Sequence, residues 1–286
     1  MPTNLNRAIA CTVTVASLAL SVGFASAAHS PSPNKRAVPV AERAASPTVC
    51  TAPAELVRLN YSLNRVAQKI LAKQALTIVA IGSSSTFGQG ASSPAMSYPS
   101  RLAVELQGLF PDSPVTVLNR GVNGETEVDM LARFDRDVFA AKPDLVIWQT
   151  GTVDAMLGVD PDDFRSALDE GVDTLQAGKA DTVFMNMQYS PRTDSMIALG
   201  SYLDAMRFVA LQREVLLFDR LAVMKNWNEM GVFDLYTATK KTDTAEKVHD
   251  CIGRLLGRLI VDGAKLAQTG DTGSGSPGGT LNKDLH

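Results

Sequence analysis

The serine-rich segment 82–88, Gly-Ser-Ser-Ser-Thr-Phe-Gly, has residue types and spacing that could perform chemistry. It directly follows a short apolar run, so a tight turn there would present a hydroxyl and several backbone N–H groups to one point. A serine hydroxyl in that position could attack a carbonyl carbon while the amides bind the charge that develops on the oxygen. The segment lacks the lysine of a Walker motif and the glycine spacing of a dinucleotide-binding loop. Taken alone, it also fits an ordinary polar turn.

A serine nucleophile needs a base, because its hydroxyl is protonated at neutral pH. Of the three histidines, His29 lies near the predicted export cleavage site and His286 is the last residue, which leaves His249 as the candidate. The carboxylate that orients it could be Glu246 or Asp243. The same two acidic residues fit a helix capping box, with Asp243 as the N-cap and Glu246 at the third helical position. Both interpretations stay open at this point.

Three further polar segments follow apolar runs in the same way. They are 119–126, Asn-Arg-Gly-Val-Asn-Gly-Glu-Thr; 149–154, Gln-Thr-Gly-Thr-Val-Asp; and 186–189, Asn-Met-Gln-Tyr. The first offers glycine N–H groups beside amide side chains, although alone it could simply begin a helix. In a parallel sheet the carboxyl ends of the strands face one crevice. The four polar segments therefore predict a single site.

The elements that must hold these segments alternate between helical patterns and apolar runs. After Pro53, apolar residues recur at three- and four-residue steps, which indicates a helix. Its apolar face consists of Leu56, Leu59, Leu63, Val66 and Ile70. The predicted strands are 76–81, 115–118, 145–148, 182–187 and 215–218. The later predicted helices are 99–109, 125–140, 161–175, 195–212 and one that ends near 268. Strands that are apolar on both faces and alternate with helices predict an α/β fold of three layers.

The composition excludes several classes of protein. The 286 residues are 45% hydrophobic and 20% charged, with 27 basic and 30 acidic side chains. This balance argues against a disordered acidic chain and against a basic nucleic-acid binder. Three cysteines and three scattered histidines cannot build a zinc finger or a four-cysteine cluster, so we expect no metal and no cofactor. After the first 27 residues, no apolar run reaches the roughly 18 residues of a membrane span.

The N-terminal segment 1–27 has the pattern of an export signal. A single arginine precedes an uncharged apolar stretch, which ends in Ala-Ser-Ala at 25–27. The alternative, a membrane anchor, is less favoured because the stretch is short and contains Thr, Ser and Gly. The organisation that follows is a Pro/Ser/Ala-rich linker at 28–49, one domain at 50–268 and a disordered tail at 269–286. A cleaved signal predicts a periplasmic or secreted protein.

Cleavage after residue 27 would remove Cys11 and leave Cys50 and Cys251. In an oxidising compartment two remaining cysteines suggest one disulfide. It would close a loop of about 200 residues and stabilise the fold by roughly 3 to 5 kcal/mol in the chain-entropy model. Two buried thiols are the alternative.

The polar segments together resemble the conserved blocks of the SGNH hydrolase superfamily, also called GDSL-type esterases and lipases. Segment 82–86 looks like the first block, Gly-Asp-Ser-x-Thr, with Ser83 in place of the aspartate and Ser84 at the nucleophile position. Segment 119–126 looks like the second block, whose glycine amide serves the oxyanion hole; that glycine is Gly124. The resemblance covers most of the predicted domain. More narrowly, the sequence is similar to exported members of the superfamily from proteobacteria. It implies a flavodoxin-like fold with a mostly parallel, five-stranded central sheet.

Segment 151–154 looks like the third block, Gly-Thr-Asn-Asp, but Val153 replaces the asparagine that supplies an oxyanion-hole donor in the family. Losing one such donor typically costs about 100- to 1000-fold in turnover. Side-chain amides that could replace it are those of Asn123, Asn186 and Gln188.

Segment 246–249 resembles the fifth block, Asp-x-x-His, with Glu246 in place of the aspartate. A helix that starts near Asp243 would place His249 in its second turn, deeper than the loop position of family members. This departure and the valine at position 153 both affect how fast the predicted site could catalyse a reaction.

The sequence thus supports a serine hydrolase that acts on small carboxylic esters, with acetyl groups on a carbohydrate as the expected substrate class. Ser84 would attack, His249 would accept its proton, and the amides of Ser84 and Gly124 would bind the oxyanion. The expected partner is a small ester substrate, with no nucleic acid and no membrane span. The alternative is a non-catalytic binding protein that keeps the SGNH fold.

Overall fold

The computed structural model describes residues 50–57, 61–236 and 242–271. The predicted signal segment 1–27 and linker 28–49 lie outside the described residues, and so does most of the predicted tail, at 272–286. The last helix continues to Asp271, three residues beyond its predicted end.

A five-stranded sheet forms the centre of the domain, and every neighbouring pair of its strands is parallel. The strands are β1 (Leu76–Gly82), β2 (Val115–Gly121), β3 (Leu145–Gln149), β4 (Asp181–Met185) and β5 (Leu216–Phe218), in the spatial order β2-β1-β3-β4-β5. β3 is buried along its whole length, whereas the edge strand β2 is partly exposed throughout. Buried parallel strands are continuous apolar runs, which is why the sequence identified them.

Helices flank the sheet, and the α/β fold predicted from the sequence is confirmed. They are α1 (Asn64–Leu71), α2 (Ser84–Phe87), α3 (Tyr98–Leu109), α4 (Glu127–Leu131), α5 (Phe134–Asp137), α6 (Thr152–Leu157), α7 (Pro161–Ala177), α8 (Pro191–Met196), α9 (Gly200–Gln212), α10 (Arg220–Glu229) and α11 (Thr242–Asp271). α11 packs against α1 and α3, while α7 packs against α4 and α9. No helix in the described ranges combines the length and apolarity needed to cross a bilayer.

Three predicted helices are divided in the structure. The segment 125–140 becomes α4, α5 and a 3-10 turn at Phe139–Ala141. The break coincides with Arg133, whose buried guanidinium turns inward and donates to Glu125 at 2.8 Å and to the carbonyl of Arg120 at 2.9 Å.

The segment 195–212 divides at Ile197, which is extended, into α8 and α9. The first predicted helix becomes a 3-10 turn at Ala54–Leu56 and then α1. The helices α2, α6 and α10 were not predicted from the sequence, and the first two are too short to show a period.

A disulfide joins Cys50 to Cys251 across 201 residues, as the cysteine count predicted. Cys251 is fully buried in α11, so the bond ties the start of the described domain to that helix. The bond lowers the conformational entropy of the unfolded chain, and the loss is large because the closed loop is long. In the chain-entropy model this stabilises the fold by about 3 to 5 kcal/mol.

Removing this bond should lower thermal stability. We expect the double variant Cys50→Ala/Cys251→Ala, or the wild type in reductant, to melt on the order of 10 °C below the oxidised protein. Circular dichroism melting curves measure the difference, and reductant should leave the double variant unchanged. Equal melting temperatures for the oxidised and reduced wild type would contradict the assignment.

Candidate active site

The carboxyl ends of the inner strands lie level at one edge of the sheet. Gly82, the last residue of β1, pairs with Gly121 of β2 on one side and with Gln149 of β3 on the other. Gln149 in turn pairs with Met185 of β4. The polar segments that follow these strands therefore meet at one crevice, as the sequence predicted.

Two glycines allow α2 to pack directly on this edge. A Cβ atom at Gly121 would lie 2.1 Å from the backbone nitrogen of Phe87, and one at Gly82 would lie 2.2 Å from Oγ1 of Thr86. Neither distance is possible without moving the backbone or a buried side chain. The side-chain amide of Asn119 also donates to the carbonyl of Thr86 at 2.8 Å. These contacts fix the short helix that begins with the candidate nucleophile.

Ser84 is the first residue of α2 and is half-buried. The backbone N–H of Gly124 donates to Ser84 Oγ at 3.3 Å. Gly124 has a φ of 78°, a left-handed conformation that favours glycine, and no described residue lies within 4 Å of the point where a Cβ would be. The structure thus brings together the predicted nucleophile and the predicted oxyanion donor, although their catalytic roles remain predictions.

His249 lies in the second turn of α11, as expected from a helix that starts near residue 243. Its side chain is buried, and its ring is bound at both nitrogens. Nδ1 accepts the backbone N–H of Tyr98 at 3.2 Å, and Nε2 lies 3.1 Å from the carbonyl oxygen of Gln89. Because Nδ1 accepts, Nε2 carries the hydrogen and donates to Gln89. Burial lowers the pKa of His249, and the positive charge of Arg220 acts in the same direction, so the ring is neutral.

This arrangement differs from the triad that the sequence suggested. No hydrogen bond joins Ser84 to His249 in the described part of the chain, and neither acidic candidate bonds to the ring. Glu246 instead accepts the backbone N–H of Ser92 at 3.0 Å. Hydrogen bonding from the Ser92 side chain, and then from its backbone N–H, lowers the pKa of the Glu246 carboxyl. Asp243 is exposed, 3.7 Å from the Lys247 ammonium.

The capping-box alternative also differs from the structure. α11 begins at Thr242, so Asp243 lies inside the helix rather than at its N-cap. Glu246 is occupied by the loop around residue 92, a contact that sequence spacing does not reveal.

The residues considered as substitutes for the missing asparagine occupy different environments. Asn186 is fully buried; its Nδ2 donates to Asp219 at 2.7 Å and its Oδ1 accepts the backbone N–H of Leu221 at 3.0 Å. Its amide therefore joins β4 to the start of α10. Asn123 and Gln188 are exposed on their loops. Val153 is half-buried at the second position of α6.

Asp154 and Glu127 form a buried carboxyl pair that the sequence analysis did not single out. Asp154 is fully buried and accepts the backbone N–H groups of Gly151 and Glu127, each at 3.0 Å. These bonds tie the start of α4, which follows the loop that carries Gly124, to the start of α6. Burial, reinforced by the Asp154 carboxylate, raises the pKa of Glu127 to about 9, so its carboxyl keeps a proton at neutral pH.

Arg220, the first residue of α10, was also missed, because a single arginine after a strand has no distinctive pattern. It is 2% exposed and contributes to a cavity beside α2 that His249 also lines. Among the described residues, no cluster of three or more His, Cys, Asp or Glu side chains could hold a metal ion.

The carboxyl of Glu127 should make stability depend on pH. Its pKa is about 9 in the fold against an ordinary value of 4.5, so the folded chain holds the proton more tightly than the unfolded chain. Stability therefore falls as the pH rises between these two values. We expect Glu127→Gln to melt above the wild type by a margin that grows, on the order of a few °C, from pH 5 to pH 8.

The matched control for this measurement is Glu170→Gln, which changes an exposed glutamate of α7. Its melting temperature should follow that of the wild type at both pH values. A margin for Glu127→Gln that is the same at pH 5 and pH 8 would contradict the raised pKa.

Comparisons with known proteins connect the chain to esterases. A stretch of 49 residues, 17% of this chain, is 41% identical to an acetylxylan esterase from Geobacillus stearothermophilus, and the match spans 22% of that protein. The crystal structure of the Geobacillus stearothermophilus acetylxylan esterase Axe2 is 22% identical with a TM-score of 0.54, over 65% of this chain and 94% of that one.

A two-domain esterase active on acetylated mannans, co-crystallised with mannopentaose, is 18% identical with a TM-score of 0.61. The similarity covers 73% of this chain and about half, 55%, of that one. At these identities the structural similarities establish the fold. The family described as the Non-GDSL lipase-like family matches residues 49–266, most of the chain. The chain therefore belongs to the Non-GDSL lipase-like family.

Proposed function

We propose that this protein is an esterase that uses Ser84 to hydrolyse small carboxylic esters, with acetyl groups on carbohydrates as its substrate class. The observation that carries the proposal is the contact between Ser84 Oγ and the N–H of Gly124, 3.3 Å apart at the carboxyl edge of a parallel sheet. The family supports a hydrolase acting on esters. The acetylxylan esterase and the esterase active on acetylated mannans support the acetyl-carbohydrate class.

Ser84 and Gly124 define the proposed chemistry. Ser84 Oγ forms a bond to the acyl carbon as its proton leaves, and the carbonyl electrons move onto the oxygen. The N–H groups of Gly124 and Ser84 stabilise that oxyanion. When the intermediate collapses, the alcohol leaves with a proton, and water then releases the acid from Ser84.

The proposal requires a group that accepts the proton of Ser84. We infer the role of His249 from its sequence block, since it is the only histidine in the described residues. Nε2 carries the hydrogen and donates to Gln89 O, while the lone pair of Nδ1 is taken by the N–H of Tyr98, so His249 can accept a proton from Ser84 only if the ring leaves the Tyr98 N–H or changes its tautomer. We therefore expect slow turnover. The engaged ring is also the observation that favours the alternative, a non-catalytic binding protein.

We also propose that the protein acts in an oxidising compartment, periplasmic or extracellular. The support is the Cys50–Cys251 disulfide, a bond that persists outside the reducing cytosol. The predicted signal segment agrees with this proposal.

Replacement of the nucleophile tests the proposed function directly. We expect wild-type protein to cleave p-nitrophenyl acetate and to react covalently with a fluorophosphonate probe, and Ser84→Ala to lose both activities. Ser93→Ala is the matched control, because Ser93 is an exposed serine beyond α2. Hydrolysis retained by Ser84→Ala would reject Ser84 as the nucleophile. A wild type that neither hydrolyses the ester nor reacts with the probe would support the binding-protein alternative.

The missing oxyanion donor gives a second test. Val153→Asn places a side-chain amide at the second position of α6, where the third block of the family has one. Since one such donor is worth about 100- to 1000-fold, we expect kcat to rise by at least about tenfold. Val153→Leu, of similar size but without a donor, should give no increase. Equal kcat values for the two variants would show that the oxyanion is bound elsewhere.

A further inference from the structure

A cavity of about 170 Å³ lies beside α2, between the loop after β4, α10 and the first turns of α11. We call it the Arg220 cavity. Ser85, the residue after the candidate nucleophile, lines it, as do His249 and Tyr189. Its volume is below the roughly 300–1,000 Å³ of pockets for drug-sized ligands, so it suits a small ligand.

Arg220 lines this cavity, and part of its buried guanidinium is unsatisfied. Its side chain is almost completely buried, and its Nη1 donates to Ser85 Oγ. Nε and Nη2 are buried and have no hydrogen-bond partner among the residues that the structure describes. These two nitrogens share one edge of the planar group, and their N–H bonds form the parallel fork that matches two oxygens of a carboxylate.

The surroundings leave the charge of Arg220 uncompensated. Among the described residues, those that line the cavity include no Asp or Glu. The adjacent Asp219 is engaged elsewhere, since its Oδ1 caps α10 through Ala222 and its Oδ2 pairs with Arg207 at 3.0 Å. The neutral ring of His249 adds no negative charge, and the ammonium of Lys225 lies 6.0 Å from the ring of Tyr189 at the same cavity.

A buried charge without a partner is costly, and this one persists at neutral pH. Burial lowers the pKa of Arg220, but only to about 10. The guanidinium therefore keeps its proton at neutral pH, and the free-energy cost of burying its charge remains. Glu127, in contrast, is neutral in its buried position. An anion in the cavity would supply both the missing charge and the missing hydrogen-bond acceptors.

We propose that the Arg220 cavity binds the carboxylate group of a small ligand, with one oxygen accepting from Nε–H and the other from Nη2–H. The carboxylate can belong to a free acid of the size of acetate or to an acidic sugar. Ser85, which accepts from Arg220 Nη1, directly follows the candidate nucleophile Ser84 in α2. Binding needs no turnover, so the proposal goes beyond the esterase activity and stands independently of it.

Calorimetric titration of the purified protein tests this proposal. The probes are sodium acetate and sodium glucuronate at constant ionic strength, with glucose as the neutral control. We expect saturable binding of at least one carboxylate and none of glucose. Acetate alone identifies a free-acid site, and glucuronate alone identifies an acidic-sugar site. Absence of binding for both overturns the proposal, and so does binding of inorganic phosphate, titrated as a third probe, without binding of either carboxylate.

Variants of Arg220 test whether the paired Nε–H and Nη2–H donors of its guanidinium bind the carboxylate. Arg220→Met should abolish binding, and Arg220→Lys, which keeps the charge but loses the fork, should weaken it about tenfold or more. Arg165→Met, on the exposed surface of α7, is the matched control and should bind as the wild type does. Carboxylate binding that Arg220→Met retains would overturn the assignment.

Melting temperatures distinguish a binding role from a structural one. Since removing an unpaired buried charge relieves its cost, Arg220→Met should melt at or above the ligand-free wild type, whereas a structural arginine would give a lower value. The carboxylate should raise the melting temperature of the wild type but not of this variant.

If Arg220→Met does not fold, Ser85→Ala, which frees Nη1, should still change carboxylate affinity severalfold; an unchanged affinity overturns the proposal. Ser84→Ala should bind carboxylate normally, which separates this test from that of the esterase.

Discussion

The close approach of α2 to the end of β2 is the contact on which the candidate site depends. It is possible only because Gly121 has no side chain, since a Cβ there would lie 2.1 Å from the backbone of Phe87. The parallel register then sets the second loop beside the first, and Gly124 comes within hydrogen-bond distance of Ser84. A hydroxyl and an amide that are 40 residues apart in sequence thus become neighbours through one backbone-to-backbone packing contact.

Much of this architecture could be predicted from local pattern. Strands buried on both faces are apolar runs, and loops after parallel strands must meet, which is why the Ser84–Gly124 pair was identified. The environment of His249 could not be predicted in this way, because the groups that bind its ring, Tyr98 N–H and Gln89 C=O, are 151 and 160 residues away. The break at Arg133 has the same origin, since its guanidinium bonds to the carbonyl of Arg120 near the end of β2 as well as to Asp137 of α5.

Two buried ionisable groups at this edge show different ways of accommodating charge. Glu127 is neutral because its pKa lies above the physiological range, and its backbone N–H joins the second and third loops through Asp154. Arg220 stays charged, and within the described ranges its Nε and Nη2 have no acceptor. The type of side chain alone does not predict whether a buried group is neutral or charged. Its state depends on which oxygen atoms the fold places beside it.

The disulfide has a consequence for the order in which the domain assembles during synthesis. Cys251 leaves the ribosome 201 residues after Cys50, so the covalent link can form only once nearly all strands and helices have been made. The wall of the Arg220 cavity that α11 supplies, including the His249 ring two residues before Cys251, belongs to this last-made part. A chain that ends before α11 contains all five strands but lacks this wall of the cavity.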